Sequence, residues 1–162
     1  MSIELIILGC RIAATGCAMA AGFFLTFSDF VMRSLERTSP AAGVAAMQSI
    51  NREVLHSVTV VLLWSMLWLS AALGFWGLVW AEGSAAVFLS AGAAAYIGGV
   101  LVVTFGANVP MNEHLDGLEF DADETHRYWA TYVPRWTRFN HLRTAGAALA
   151  SVLFTLAGAA LG

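Results

Sequence analysis

Four long apolar runs, at about residues 3–30, 54–80, 85–107 and 142–161, constrain this chain more than any other feature in it. A helix needs roughly 20 apolar residues to cross the hydrocarbon layer of a bilayer. In lipid, every backbone N–H and C=O must find its partner within the protein, which leaves helices or closed barrels as spanning elements. Each run is long enough for a helix. Together they use most of the 162 residues, so the chain reads as one integral membrane domain over 1–162, all-α, with a transmembrane four-helix bundle as its architecture. With 59% of residues hydrophobic and 12% charged, too few polar side chains remain to coat a soluble surface.

The connections between runs carry the polarity. Four spans put the segments 31–53 and 108–141 on one side, opposite both termini and the short "AEGS" link. Every one of the 8 basic residues is arginine, and Arg33, Arg37, Arg52, Arg127, Arg135, Arg138 and Arg143 all fall on that side. The positive-inside rule makes it cytoplasmic and places both termini on the non-cytoplasmic face of the cell membrane. The first run has no basic leader, and Glu4 and Arg11 interrupt it, so it reads as a retained helix rather than a cleaved signal. A formal net charge of -3 offers no basic surface, which removes nucleic acid as a partner. Membrane lipids remain as partners. Cys10 and Cys17 lie two turns apart on one helix and cannot reach each other.

Local signals fill in the rest. Gly9, Ala13, Cys17 and Ala21 form a small-residue stripe, and Gly92, Gly98, Gly99 and Gly106 open the third run to close backbone approach. Small residues on several faces leave a homo-oligomer open. Ser39 followed by Pro40 reads as a helix start, and a short cytoplasmic helix is expected to run from there into the second span. Acidic residues at 121–124 suit another helix start, giving a second short helix up to about Val133, where Pro134 kinks or restarts the chain. Pro110 withholds an N–H and should loosen the third span near Gly106.

The candidate site lies at the polar end of the bundle. Trp129, Trp136, Asn140 and Arg143 fall seven, four and three residues apart and share one helix stripe, with Arg138 and His141 on another face. Two indoles, an amide and a guanidinium can hold a flat aromatic molecule, although tryptophan and arginine also gather at membrane interfaces for their own sake. Asn108 and Asn112 flank the expected break and serve equally as helix caps or as ligand donors. Asp29 can pair with Arg143 or Arg52. His56 and His141 could together hold haem or copper, but no His-x-x-x-His, Glu-x-x-His or paired-cysteine spacing supplies a metal site within one helix.

The stretches "GFFLTFSDFVM", "MQSIN", "NVPMN" and "RWTRFNHLRT" resemble, in this order, the anthrone oxygenase family of small four-helix membrane proteins. The resemblance implies oxidation of an anthrone-type polyketide by O2 to the quinone, with no flavin or metal cofactor. It points to Gln48, Asn51, Asn108, Asn112, Trp136, Asn140, His141 and Arg143, and not to His56. In such a reaction His141, with an ordinary pKa of about 6.5, would be the base. Asn108, Asn112, Asn140 and Arg143 would hold the oxyanion, and Trp136, Phe23, Phe24 and Phe27 would line the ring slot. Two other readings of the same residues stay open: a haem or copper oxidoreductase, and a non-catalytic module that binds a small lipophilic molecule.

Overall fold

A computed structural model describes residues 2–162, and all its regular structure is helical. Four helices are long and apolar enough to cross a membrane: α1 (Ile3–Glu36), α3 (Val58–Val79), α4 (Gly83–Asp116) and α5 (Asp123–Leu161). A shorter helix, α2 (Pro40–Val54), stands between the first two. Each apolar run corresponds to one of these helices, the second being shorter than its run, and the other three helices run well past theirs. At 1.5 Å per residue, the 39 residues of α5 extend about 58 Å, nearly twice a bilayer's hydrocarbon core.

Two cores explain the extra length. The first lies among the four long helices, where Ile6, Cys10, Ala13, Cys17, Ala20 and Phe24 of α1 pack with Leu89, Tyr96, Ala147, Ala150 and Phe154. Leu5, Ile12, Phe75, Val87, Val102 and Val152 face outward, as helix surfaces in lipid should. The second core is built where α1, α4 and α5 project beyond the first. There α2 lies across them, burying Val44 and Met47 against Met32, Leu115, Trp129, Tyr132, Val133 and Trp136.

Local chemistry sets the boundaries. Ser39 accepts a hydrogen bond from the Ala42 N–H at 3.3 Å and caps α2, with Pro40 at its first turn. The helix does not continue into the second span as expected. Ser57 donates its hydroxyl to the Val54 carbonyl at 2.7 Å and takes an extended backbone, so the chain turns at 55–57 and restarts at Val58. That turn is what lets α2 fold over the end of the bundle. Pro134 does not restart the chain: it sits inside α5, so the short helix expected before the last span is the first part of α5. Buried neighbours on both sides, Tyr132, Val133 and Trp136, hold the helix against the lost hydrogen bond.

Three widened turns interrupt the long helices, at Phe27–Val31 in α1 and at Ile97–Val102 and Thr104–Asn108 in α4. In the last, the Val109 N–H reaches back five residues to the Thr104 carbonyl. Pro110, next in sequence, cannot donate. The loosening expected near Gly106 is thus a change of hydrogen-bond register, and α4 continues to Asp116.

The glycines divide in two. A Cβ on Gly146 would come within 2.7 Å of the Gly99 Cα and 3.0 Å of the Ala95 carbonyl, so α4 and α5 touch backbone to backbone. Gly92 likewise seats Phe154. Gly98 and Gly106, expected to share this role, face open space instead. Gly146→Val should therefore cost about 1–3 kcal/mol of stability, because backbone cannot yield to the added methyls. Gly22→Ala, with nothing within 4 Å of its Cβ, should cost nothing. Thermal unfolding of both variants in detergent, followed by circular dichroism, checks the contrast.

Candidate functional site

Where the helices widen, one buried hydrogen-bond network ties α1, α4 and α5 together. Asn140 is fully buried; its Nδ2 donates to the Phe24 carbonyl and to Ser28 Oγ, each at 2.6 Å. Its Oδ1 accepts from Arg143 Nη2 at 2.6 Å. Asn108, also fully buried, donates to the Trp136 carbonyl at 3.2 Å and fixes the widened turn of α4 to α5. Asn112 Oδ1 accepts from Tyr132 Oη and Trp136 Nε1, both at 2.8 Å. With its oxygen so engaged, Asn112 turns its NH2 group the other way. Gln48 is buried and donates to the Leu115 and Leu118 carbonyls, each at 2.9 Å, which ties α2 to the end of α4.

Arg143 is the unusual member. It is only 8% exposed, and its guanidinium lies 4.6 Å from the Phe24 ring centre and 5.2 Å from that of Trp136. Its Nε has no hydrogen-bond partner. Among the described residues the ion pairs are Asp29 with Arg33 at 3.0 Å and Arg52 with Asp116 at 3.1 Å, and neither includes Arg143. The pairing of Asp29 with Arg143 or Arg52 is therefore corrected: Asp29 is exposed and bonds one helical turn along its own helix, where no packing draws it inward. A buried cation is costly unless something balances its charge. Here two aromatic faces supply part of that balance.

Arg143 opens onto a cavity of about 430 Å³. Phe23 and Phe24 of α1, Val60, Leu63 and Trp64 of α3, and Tyr96, Val100, Leu101 and Phe105 of α4 make its walls apolar. Polar groups are few and local: Asn51, Asn112, Thr104 and Arg143, with Arg52, Glu113 and Asp116 at the rim. Asn51 Nδ2 is buried without a partner, as Arg143 Nε is. Such a space, largely apolar with a few convergent donors, suits a small flat molecule bearing an accepting or anionic oxygen.

The expected site residues separate into groups. Phe23, Phe24, Asn51, Asn112 and Arg143 line the cavity. Trp136, Phe27, Asn108, Asn140 and Gln48 stand behind it: Phe27 packs on Trp136 at 5.9 Å, and the amides hold helices together. His141 is exposed and lies outside this cavity, in a groove between α1 and α5 with Arg33, Glu36 and Arg138. Its helix face, already separate from the Asn140 stripe in sequence, accounts for that. His56 is exposed on the turn between α2 and α3. His56 and His141 thus stand on different elements, and among the described residues no three His, Cys, Asp or Glu side chains are grouped as a metal site.

Sequence reasoning missed Tyr96, Trp64, Phe105 and Tyr132. Tyr96 donates its hydroxyl to the Leu63 carbonyl at 3.0 Å and forms part of the cavity wall; a lone phenol inside an apolar run was the available signal. Tyr132 falls on the stripe of Trp129 and Trp136, stacks on Trp129 with centroids 5.4 Å apart, and was legible by the same spacing.

Asn112→Leu should strand two part-buried donors, Tyr132 Oη and Trp136 Nε1, and lower stability by roughly 2 kcal/mol or more. Asn112→Asp, which keeps the acceptor, should lose much less. Denaturant unfolding of the two variants side by side makes the measurement.

A family model described as anthrone oxygenase matches residues 47–153. No curated protein and no solved structure matches.

Proposed function

This chain belongs to the anthrone oxygenase family, and we propose that it is a membrane oxygenase that oxidises an anthrone-like or other lipophilic phenolic substrate with O2 inside the cavity beside Arg143. The observation that carries this reading is a buried guanidinium without a carboxylate partner on the wall of an apolar cavity. The arginine distribution supports a cytoplasmic position for the polar end, with both termini on the opposite face.

The chemistry asks little of the protein. An anthrone carries a CH2 group flanked by two rings, and loss of one proton leaves a carbanion delocalised onto the carbonyl oxygen. Arg143, with Asn112 and Asn51 beside it on the cavity wall, stabilises that oxyanion in a space from which the apolar walls exclude water. Glu113 lines the cavity and, unlike Asp116, is not in an ion pair; it takes the role of base that the sequence suggested for His141. The carbanion reduces O2, a C–O bond forms, and the resulting peroxide anion takes up a proton to give the hydroperoxide. Loss of the remaining C–H proton with the distal hydroxyl then leaves the second carbonyl. The balance is anthrone plus O2 to quinone plus water, and it draws on no further reductant.

The test is oxygen uptake by purified protein in nanodiscs given an anthrone under air. With labelled O2, one labelled atom should appear in the quinone. Arg143→Gln should lower kcat about a hundredfold, the usual cost of losing one oxyanion donor, whereas His141→Ala should leave the rate unchanged. Binding of the anthrone without oxygen uptake would overturn the oxygenase reading in favour of a binding module. A visible haem or copper spectrum in the purified protein would overturn the cofactor-free scheme.

A further inference from the structure

The cavity has two edges of opposite chemistry. At the polar end it is spanned by an ion pair, Arg52 of α2 with Asp116 of α4 at 3.1 Å. Between α3 and α4 it is bounded by two aromatic rings, Trp64 and Phe105, with centroids 6.1 Å apart. Both rings line the cavity, yet they are 45% and 52% exposed, so each has one side inside and one side out.

The helices part at this point for visible reasons. Near their short link, α3 and α4 are in close contact, with Gly74 against Ala93 and Gly77 against Leu89. The Tyr96 hydroxyl then ties α4 to the Leu63 carbonyl. Contacts between α3 and the α4 segment Ile97–Val102 are few, and fewer still at Thr104–Asn108. Each widened turn shifts the face of α4 relative to α3. Val61 and Val102, each three residues before one of the rings, are largely exposed as well. A surface of this composition on membrane-crossing helices meets acyl chains.

We propose that the cavity takes its ligand from the bilayer between α3 and α4, past the Trp64–Phe105 ring pair that closes this edge, and that the ligand is an aromatic molecule with an accepting or anionic oxygen directed to Arg143 and an apolar flank, up to an alkyl chain, lying against that pair. Trp64 and Phe105 then determine specificity by what they allow to protrude into lipid. The polar side chains on the cavity wall, Arg143, Asn112 and Asn51, fix the polar end of the molecule. This inference rests on the cavity's being the site proposed above, but it concerns binding and is tested without turnover.

The probes are 1-hydroxyanthraquinone and two derivatives carrying an octyl chain, one at the ring position beside the hydroxyl and one at the far end of the ring system. Each is titrated against the protein in nanodiscs, with affinity expressed per mole fraction of probe in lipid. The far-end derivative should bind as well as the parent, because its chain stays in the bilayer. The derivative with the chain beside the hydroxyl should lose tenfold or more, about 1.4 kcal/mol. In Trp64→Ala the far-end derivative should dissociate about tenfold faster. If that variant fails to fold, the comparison of isomers on the unaltered protein decides alone. Equal loss for both derivatives, or no binding of any probe, would overturn the proposal. Tight binding of the far-end derivative without oxygen uptake from an anthrone would sink the oxygenase reading alone; oxygen uptake with rejection of that derivative would sink the lateral route alone.

Discussion

The structure is organised around keeping one guanidinium dry. Arg143 lies in the last span, where a charge is expensive, and the surrounding helices are shaped to accommodate it. Asn140, one turn earlier on α5, gives its oxygen to the guanidinium and its NH2 group to α1 at Phe24 and Ser28. Phe24 and Trp136 cover the cation's faces. Asn108 and Asn112 then hold α4 and the indole of Trp136 in place. If the charge were removed from this arrangement, little reason would remain for so many buried amides within a hydrophobic bundle.

The irregular backbone belongs to the same scheme. The widened turns at Phe27–Val31 and Thr104–Asn108 each contain one buried polar residue, Ser28 and Asn108, and each of these bonds across to α5, Ser28 accepting from Asn140 and Asn108 donating to the Trp136 carbonyl. By turning at 55–57, the chain brings α2 back over the projecting helices, where Gln48 binds two carbonyls from the end of α4 and its following turn.

Much of this was legible in the sequence. Hydropathy located the spans because lipid imposes it directly. The helical stripe of Trp129, Trp136, Asn140 and Arg143 is buried, and Arg138 and His141 on the other face are exposed, as the spacing required. What periodicity does not encode is which of several polar groups share a space. Asn140 and Asn112 look alike as sequence, yet one braces helices and the other also faces the cavity. His141 attracted a catalytic role through its chemistry, while one helical step decided that it points elsewhere. The break at Ser57 was hidden because an apolar run shows no change of pattern where a single hydroxyl captures a carbonyl. Trp64 and Phe105 sit in such runs too, and only the parting of α3 from α4 distinguishes them from other lipid-facing residues.

The unbroken length of α5 gives it the character of a camshaft. Trp129, Tyr132 and Trp136 serve the outer core while Asn140 and Arg143 serve the inner cluster, all on one continuous helix. Each residue advances an α-helix by about 100°. One amino acid inserted between Tyr132 and Arg143 would keep either the outer aromatics or the guanidinium in phase, but not both. The 117–122 connection ahead of the rod is free of that demand, so changes in chain length there can be absorbed without disturbing the angular timing on which the cluster depends.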